Sequence, residues 1–293
     1  MMSRKELPNL SKFVSVYMAL LMLVLAGYAQ AENSPPVWKA TKQGKTLTLL
    51  GAVHYGHEDM YPLPKHIYRQ LEGAEALVLE LDLAAISQRE INTILQSTAI
   101  TSASASEQAD MSMLTPTCER VGLNCDNLSL FNPWYQAMIV SGAAFRLQGL
   151  TPQHGIDRHI LTQSKSLNVY PLESLALQLL EYSQLPREDQ LDMLQAASEQ
   201  SDGLGHDEPL MLLQAYTRGN QDELRRHFSS RPVAFHRTIE RKSSTFAKRI
   251  HELTASHDRL FVTLGVEHLV AQKGVLTQLA QLGYDVEFVT NAR

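Results

Sequence analysis

Two segments, Gly51-Ala52-Val53-His54 and Gly265-Val266-Glu267-His268, share the pattern Gly-x-x-His, and each ends a run of apolar, strand-like residues. The first follows Thr46-Leu47-Thr48-Leu49-Leu50 and the second follows Arg259-Leu260-Phe261-Val262-Thr263-Leu264. Glycine lets the backbone turn sharply or approach another segment closely. An imidazole three residues on, at the carboxyl end of a strand, stands where open α/β sheets bind ligands. Two imidazoles delivered in this way suit a metal ion or an acid/base pair. Among 11 histidines, one such motif arises by chance, whereas two in the same strand-exit context ask for a shared explanation. The plainer explanation is a pair of hydrogen-bonded histidines at sheet edges.

Carboxylates recur in the same context. Ala76-Leu77-Val78-Leu79-Glu80-Leu81-Asp82 reads as a strand too apolar for an edge, with two acids at its exit, and the short strand Leu167-Asn168-Val169-Tyr170-Pro171-Leu172 ends at Glu173. His54, Glu80, Glu173 and His268 therefore all lie just past the apolar part of a predicted strand. Two imidazoles with one or two carboxylates make a shell for Zn²⁺, Mn²⁺ or Co²⁺ that leaves a position open for water. Such an ion lowers the pKa of its water towards neutrality and polarises a carbonyl. Each acid also has an ordinary role: Glu80 or Asp82 can solvate a strand end, and Glu173 can favour the start of the following helix. Glu267 is expected to face away from His268, so Glu80 and Glu173 rank above Asp82 and Glu267.

The elements that would position these groups are β-rich at both ends of the chain. Val37-Trp38-Lys39-Ala40-Thr41, a Lys42-Gln43-Gly44-Lys45 turn and residues 46–53 predict a hairpin. Met60-Tyr61-Pro62-Leu63-Pro64 then opens a helix over 65–73. Residues 84–256 are mainly helical, with a Ser/Ala/Thr-rich low-order stretch at 97–106, a helix start at Phe131-Asn132-Pro133-Trp134 and another at Gly155-Ile156-Asp157. Breaks fall at 203–209 and at Arg231-Pro232. A helix over 274–282 and a strand over 284–289 close the chain. The expected fold is α/β (mixed α+β): one domain, 32–293, with a central mixed sheet assembled from both ends, flanking helices and a large helical insertion.

With 44% hydrophobic and 19% charged side chains, the chain can bury a full core. Arg4, Lys5 and Lys12 precede an uncharged stretch over 13–31 that ends Ala29-Gln30-Ala31. That is the grammar of a secretory signal peptide, residues 1–31, and implies a periplasmic or secreted protein beginning near Glu32. The rival is an uncleaved membrane anchor. No cysteine follows the cleavage site to carry a lipid. Cleavage removes three cations and one anion, taking the formal charge from -5 to -7, which argues against a nucleic-acid partner. Cys118 and Cys125, seven positions apart and the only cysteines, are expected to form a disulfide in that compartment, clamping a helix end to the next loop.

Leu49-Leu50-Gly51-Ala52-Val53-His54, Met60-Tyr61-Pro62-Leu63-Pro64, the Glu80 strand, Gly155-Ile156-Asp157, Pro171-Leu172-Glu173-Ser174, Glu240-Arg241-Lys242 and the Gly265–His268 segment with Gly274-Val275-Leu276 and Gly283-Tyr284-Asp285-Val286 occur in an order that resembles the TraB/GumN family. That family is related to the Tiki proteins, metal-dependent proteases with two Gly-x-x-His motifs, and more distantly to erythromycin esterases and a haem-binding lipoprotein group. The resemblance implies a mixed sheet flanked by helices, with the motif histidines and strand-end glutamates at the site. It also implies a role for the arginine of the family's Arg-Asn helix motif, which falls on Arg241. Lys242 in place of that Asn, and Glu267 in place of a small residue, depart from the pattern.

The leading expectation is a metal-dependent peptidase in which His54, His268, Glu80 and Glu173 supply metal ligands. In it Glu80 or Glu173 acts as general base, and Arg241 stabilises the oxyanion. The partner is then a peptide or small-molecule substrate, with a membrane contact only through an uncleaved signal segment. Two other classes compete: a non-catalytic protein that binds peptide, metal or haem, and a metal-free esterase with His54 as general base. Methionines at helical spacing, such as Met193 and Met211, read as core and do not favour haem. No Gly-x-Ser-x-Gly elbow supports a serine hydrolase.

Overall fold

The hairpin at the start of the domain is β1 (Val37–Lys42) paired antiparallel with β2 (Lys45–Ala52). Gln43 and Gly44 join them at φ 48° and 81°, a two-residue turn whose twist matches that of the flanking strands. This computed structural model describes residues 34–101, 114–201 and 208–289. The expected signal segment, most of the Ser/Ala/Thr-rich stretch beyond residue 101 and the break before Glu208 lie outside the described residues.

Six strands form one mixed sheet in the order β4-β3-β5-β2-β1-β6, with β3 at Ala76–Leu79, β4 at Asn168–Pro171, β5 at Arg259–Gly265 and β6 at Asp285–Phe288. β2, β5, β3 and β4 run parallel, whereas β1 is antiparallel to both β2 and β6. The sheet is thus assembled from both ends of the chain, as expected. β5 and β3 are inner strands, and their residues from Leu260 to Gly265 and from Ala76 to Leu79 are buried. Parallel strands covered on both faces show this continuous apolar run rather than alternation. The edge strands β4 and β6 are short and part-exposed.

Helices supply the covering layers. Lys65–Glu72 buries Ile67 and Leu71, and Val275–Gln281 buries Val275 and Leu279, all in the main core. Two smaller clusters lie within the helical region. Leu128, Ala137, Val140, Leu194 and Ala197 form one, and Ala99, Trp134 and Leu179 form the other. Cys118 and Cys125 are disulfide-bonded, linking the helix Thr115–Val121 to the start of Cys125–Leu128. Met193 packs against the first small cluster, but Met211 is 62% exposed. Helical spacing alone therefore assigned Met211 to the wrong environment.

The long helix Val233–Leu253 matters most to the site. Its buried residues include Thr238, Ile239, Lys242, Ser243, Phe246, Ala247 and Ile250, the stripe that 3.6-residue periodicity turns towards a core. Lys242 and Ser243 sit in that stripe as polar members. Arg241 and Arg249, one step off it, are exposed.

Candidate active site at the carboxyl ends of the parallel strands

Parallel pairing puts the exits of four strands on one side of the sheet. Leu79 is in register with Thr263 and Pro171, and Ala52 with Gly265. Across the sheet the exits therefore present Glu173, Glu80, His268 and His54, in the order β4, β3, β5, β2. All four strand-end residues named from the sequence lie along this edge, with different partners.

His268 is the most enclosed, at 1% exposure. It lies in the short helix Val266–Val270, and its Nδ1 shares a 2.9 Å hydrogen bond with Ser243 Oγ. Its Nε2 faces Glu80 Oε2 at 3.9 Å. Glu80 is also buried, and its Oε1 accepts from Gln178 Nε2 at 3.0 Å. Glu80 Oε2 has no hydrogen-bond partner. A buried carboxylate oxygen without a donor calls for a physical account, and here it is aimed at the imidazole.

His54 has a different setting. Its side chain is 54% exposed and its Nδ1 stands 3.4 Å from Asp157 Oδ1. The Asp157 charge is the largest influence and raises the imidazole above its ordinary value against the opposing effect of desolvation, with further support from Glu80 and Glu267. Solvent at the ring screens that field. For Asp157, burial works to raise the carboxyl, but the His54 charge and hydrogen bond outweigh it and hold the group low. Asp157 reaches this place because the helix Ile156–Gln163 docks on the loop after β2, where Ile156 N–H donates to Val53 O at 3.0 Å. Gly155 makes the docking fit: a Cβ there would lie 2.6 Å from the His54 carbonyl oxygen.

Glu173 is bound to a cation of the protein itself. Lys242 Nζ donates to Glu173 Oε2 at 2.6 Å and lies 3.6 Å from Glu181 Oε2. Desolvation raises Glu173 above the ordinary carboxylate range, and Lys242 opposes it. Arg241, the arginine carried over from the family pattern, pairs instead with Glu181 Oε1 at the surface. Asp82 caps the turn Leu83–Ala85 by accepting from Ala84 N–H, a local structural role away from the histidines.

Glu267 folds back over Gly265, where an added Cβ would lie 2.6 Å from its Oε1. Its charge bears on His54, Tyr182 and Arg231, so it belongs to the field of the site. Tyr182 stacks on Trp134 at 6.0 Å, and its phenol is raised chiefly by burial, then by the charges of Glu80, Glu267, Glu173 and Glu181. It stays a neutral hydrogen-bonding group among acids.

From the sequence, Asp157 stands only in the helix start and family-like segment Gly155-Ile156-Asp157, and Gln178, Ser243 and Tyr182 carry no expected role. Two signals for them were present: a Lys-Ser pair inside the apolar stripe of a helix, and Gln178, Glu181 and Tyr182 spaced i, i+3, i+4 after a strand-end Glu. Among the described residues, no three His, Cys, Asp or Glu side chains stand arranged as a complete metal-ligand set.

A family model described as the TraB/PrgY/gumN family matches residues 36–288. "Uncharacterized protein YbaP" of Escherichia coli (strain K12) is 28% identical over 140 residues, covering 47% of this chain and 52% of that protein. The protein of the same name from Shigella flexneri matches to the same extent. The chain spans about half the length of these curated relatives. No solved structure matches it.

Proposed function

The chain belongs to the TraB/PrgY/gumN family, and on that premise we propose that it is an exported, metal-dependent hydrolase of peptide bonds. The observation that carries this reading is Glu80 Oε2, buried, without a hydrogen-bond partner and 3.9 Å from His268 Nε2. Two donors each about 2.1 Å from one ion stand at most about 4.2 Å apart, so this separation admits a shared ion. With Nδ1–H donating to Ser243 Oγ, His268 Nε2 would be free to ligate. Glu80 and His268 would therefore hold the metal, with the remaining positions left to substrate, water or a side chain that moves in.

When bound, a divalent transition-metal ion (Mn²⁺, Co²⁺ or Zn²⁺) supplies polarisation of the scissile carbonyl and an acidified water. The protein's own groups do the rest. His54, charged by Asp157, is suited to give a proton to the departing amine. Glu173, neutralised by Lys242, holds that ammonium beside the site. Tyr182 stays a protonated phenol beside these acids. Gln178 and Ser243 orient the two metal-facing side chains. Export is supported by the Cys118–Cys125 disulfide, which persists in oxidising compartments.

The test is elemental analysis of the purified chain beside the Glu80→Gln, His268→Ala and His54→Ala variants, with a peptide-library assay on each. About one equivalent of metal is expected in the parent and in His54→Ala, with loss in the other two. Hydrolysis should vanish in all three. Equal metal content in the parent and Glu80→Gln sinks the assignment. Saturable peptide binding without product would favour a binding protein.

A further inference from the structure

Beside Glu173, on the outer flank of the site, lies a cavity of about 400 Å³, within the size range of pockets that take small ligands. One wall is the long helix, which contributes Arg241, Lys242, Phe246 and Arg249. The other is the strand exit and following helix, with Leu172, Glu173, Leu177 and Glu181.

The charges in this cavity do not cancel. Glu173 is paired with Lys242, and Glu181 with Arg241. The Arg249 guanidinium has no ion-pair partner among the described residues and is the surplus cation. Arg241 and Arg249 are eight residues apart on one helix, so the wall between them runs about 12 Å, the length of about three to four extended residues. Between the charged ends the lining mixes the apolar Leu172, Leu177 and Phe246 with the hydroxyls of Ser174 and Thr245, and of the apolar three Leu177 is the exposed one, at 57%. Glu181 Oε2 is buried without a hydrogen-bond partner, with the Lys242 ammonium 3.6 Å away.

A surplus guanidinium, the apolar Leu177 and a carboxylate oxygen served only by the Lys242 ammonium at 3.6 Å match the last residues of a peptide, which carry a carboxylate, an apolar side chain and an amide N–H. We propose that this cavity binds the free C-terminus of a short peptide, with Arg249 taking the terminal carboxylate as a bidentate pair. The peptide then runs towards Glu173 and the strand-exit site. This rests on the peptide-hydrolase reading and specifies its substrate class as peptides with a nearby free carboxyl end.

The experiment is calorimetric titration of the full chain carrying Glu80→Gln, so that binding is read without turnover, with and without Arg249→Ala. The probes are N-acetyl-Ala-Ala-Leu, its C-terminal amide, and N-acetyl-Ala-Glu-Leu amide. The free acid is expected to bind about tenfold or more tightly than either amide. Arg249→Ala should abolish that preference and leave amide binding unchanged. Arg249 is exposed, so the variant should fold normally.

Equal binding of acid and amide, no binding of either, or an acid preference that survives Arg249→Ala would overturn the assignment. So would tight binding of the Glu-containing amide, which would make the cavity a side-chain carboxylate site. Because the titration needs no hydrolysis, a peptidase failure leaves an Arg249-dependent acid preference standing. Conversely, loss of the preference leaves peptide cleavage by the parent untouched.

Discussion

Lys242 donates to Glu173 at 2.6 Å with both side chains more than nine-tenths removed from solvent. At this scale the chemistry of the site depends on which charges have partners. Removing one member of a buried pair strands the other, which typically costs 3–5 kcal/mol. Lys242→Met should therefore lower stability by about 3 kcal/mol, and adding Glu173→Gln should restore most of the loss, since Glu173 is then not left charged without its ammonium and Glu181 keeps Arg241. Chemical denaturation of the three proteins reads this directly. A double variant no more stable than Lys242→Met would show that the pair's partners, not its charges, set the cost. Lys242 was legible in the sequence as a departure from a pattern and as one of a Lys-Ser pair within an apolar stripe, although a lysine in a helix ordinarily belongs to the wet face. Only the packing shows it inside.

The elements hold these residues through close backbone contacts. The helix Ile156–Gln163 brings Asp157 to His54 only because Gly155 lets the chain pass the His54 carbonyl. Gly155→Ala sets a Cβ against a backbone atom that has little room to yield, and should cost about 1–3 kcal/mol. It should also separate Asp157 from His54, lowering the imidazole's pKa in an NMR titration. An unchanged His54 titration would show that the helix has another way to dock. The disulfide acts at the same scale, clamping two short helices beside the cluster of Leu128, Ala137 and Leu194. For so small a loop, the Cys118→Ser/Cys125→Ser pair should cost about 2.5 kcal/mol through the freedom returned to the unfolded chain. A midpoint of denaturation unmoved by reduction of the parent would refute it.

For the molecule as a whole, acid sensitivity follows from His227, which burial first and the Arg231 charge second push down from 6.5 to about 4. Its neighbours are Arg231 Nη2 at 3.0 Å, Glu208 Oε1 at 3.5 Å and the Phe228 ring. Above pH about 6.5 the imidazole is neutral whether the chain is folded or not. Between that pH and about 4 the unfolded chain takes up a proton that the folded chain refuses, so stability falls as pH falls, by about 3 kcal/mol from this group. Urea midpoints from pH 7 to 4 should show the loss, and His227→Gln should flatten it; parallel curves would remove His227 as the cause. The amino-acid sequence by itself determined the kind of sheet, the ends it is built from, the two histidine turns and the four strand-end groups. Apolar runs, glycines and turns are local signals that hydrophobic burial must obey. Tertiary structure alone decided that β5 lies between β3 and β2, so that His268 meets Glu80 while His54 stands apart and finds Asp157, 103 positions away. It likewise gave Glu173 to Lys242 and Arg241 to Glu181. Strand order and helix docking bring together residues distant in sequence, and no local pattern encodes which exit will neighbour which.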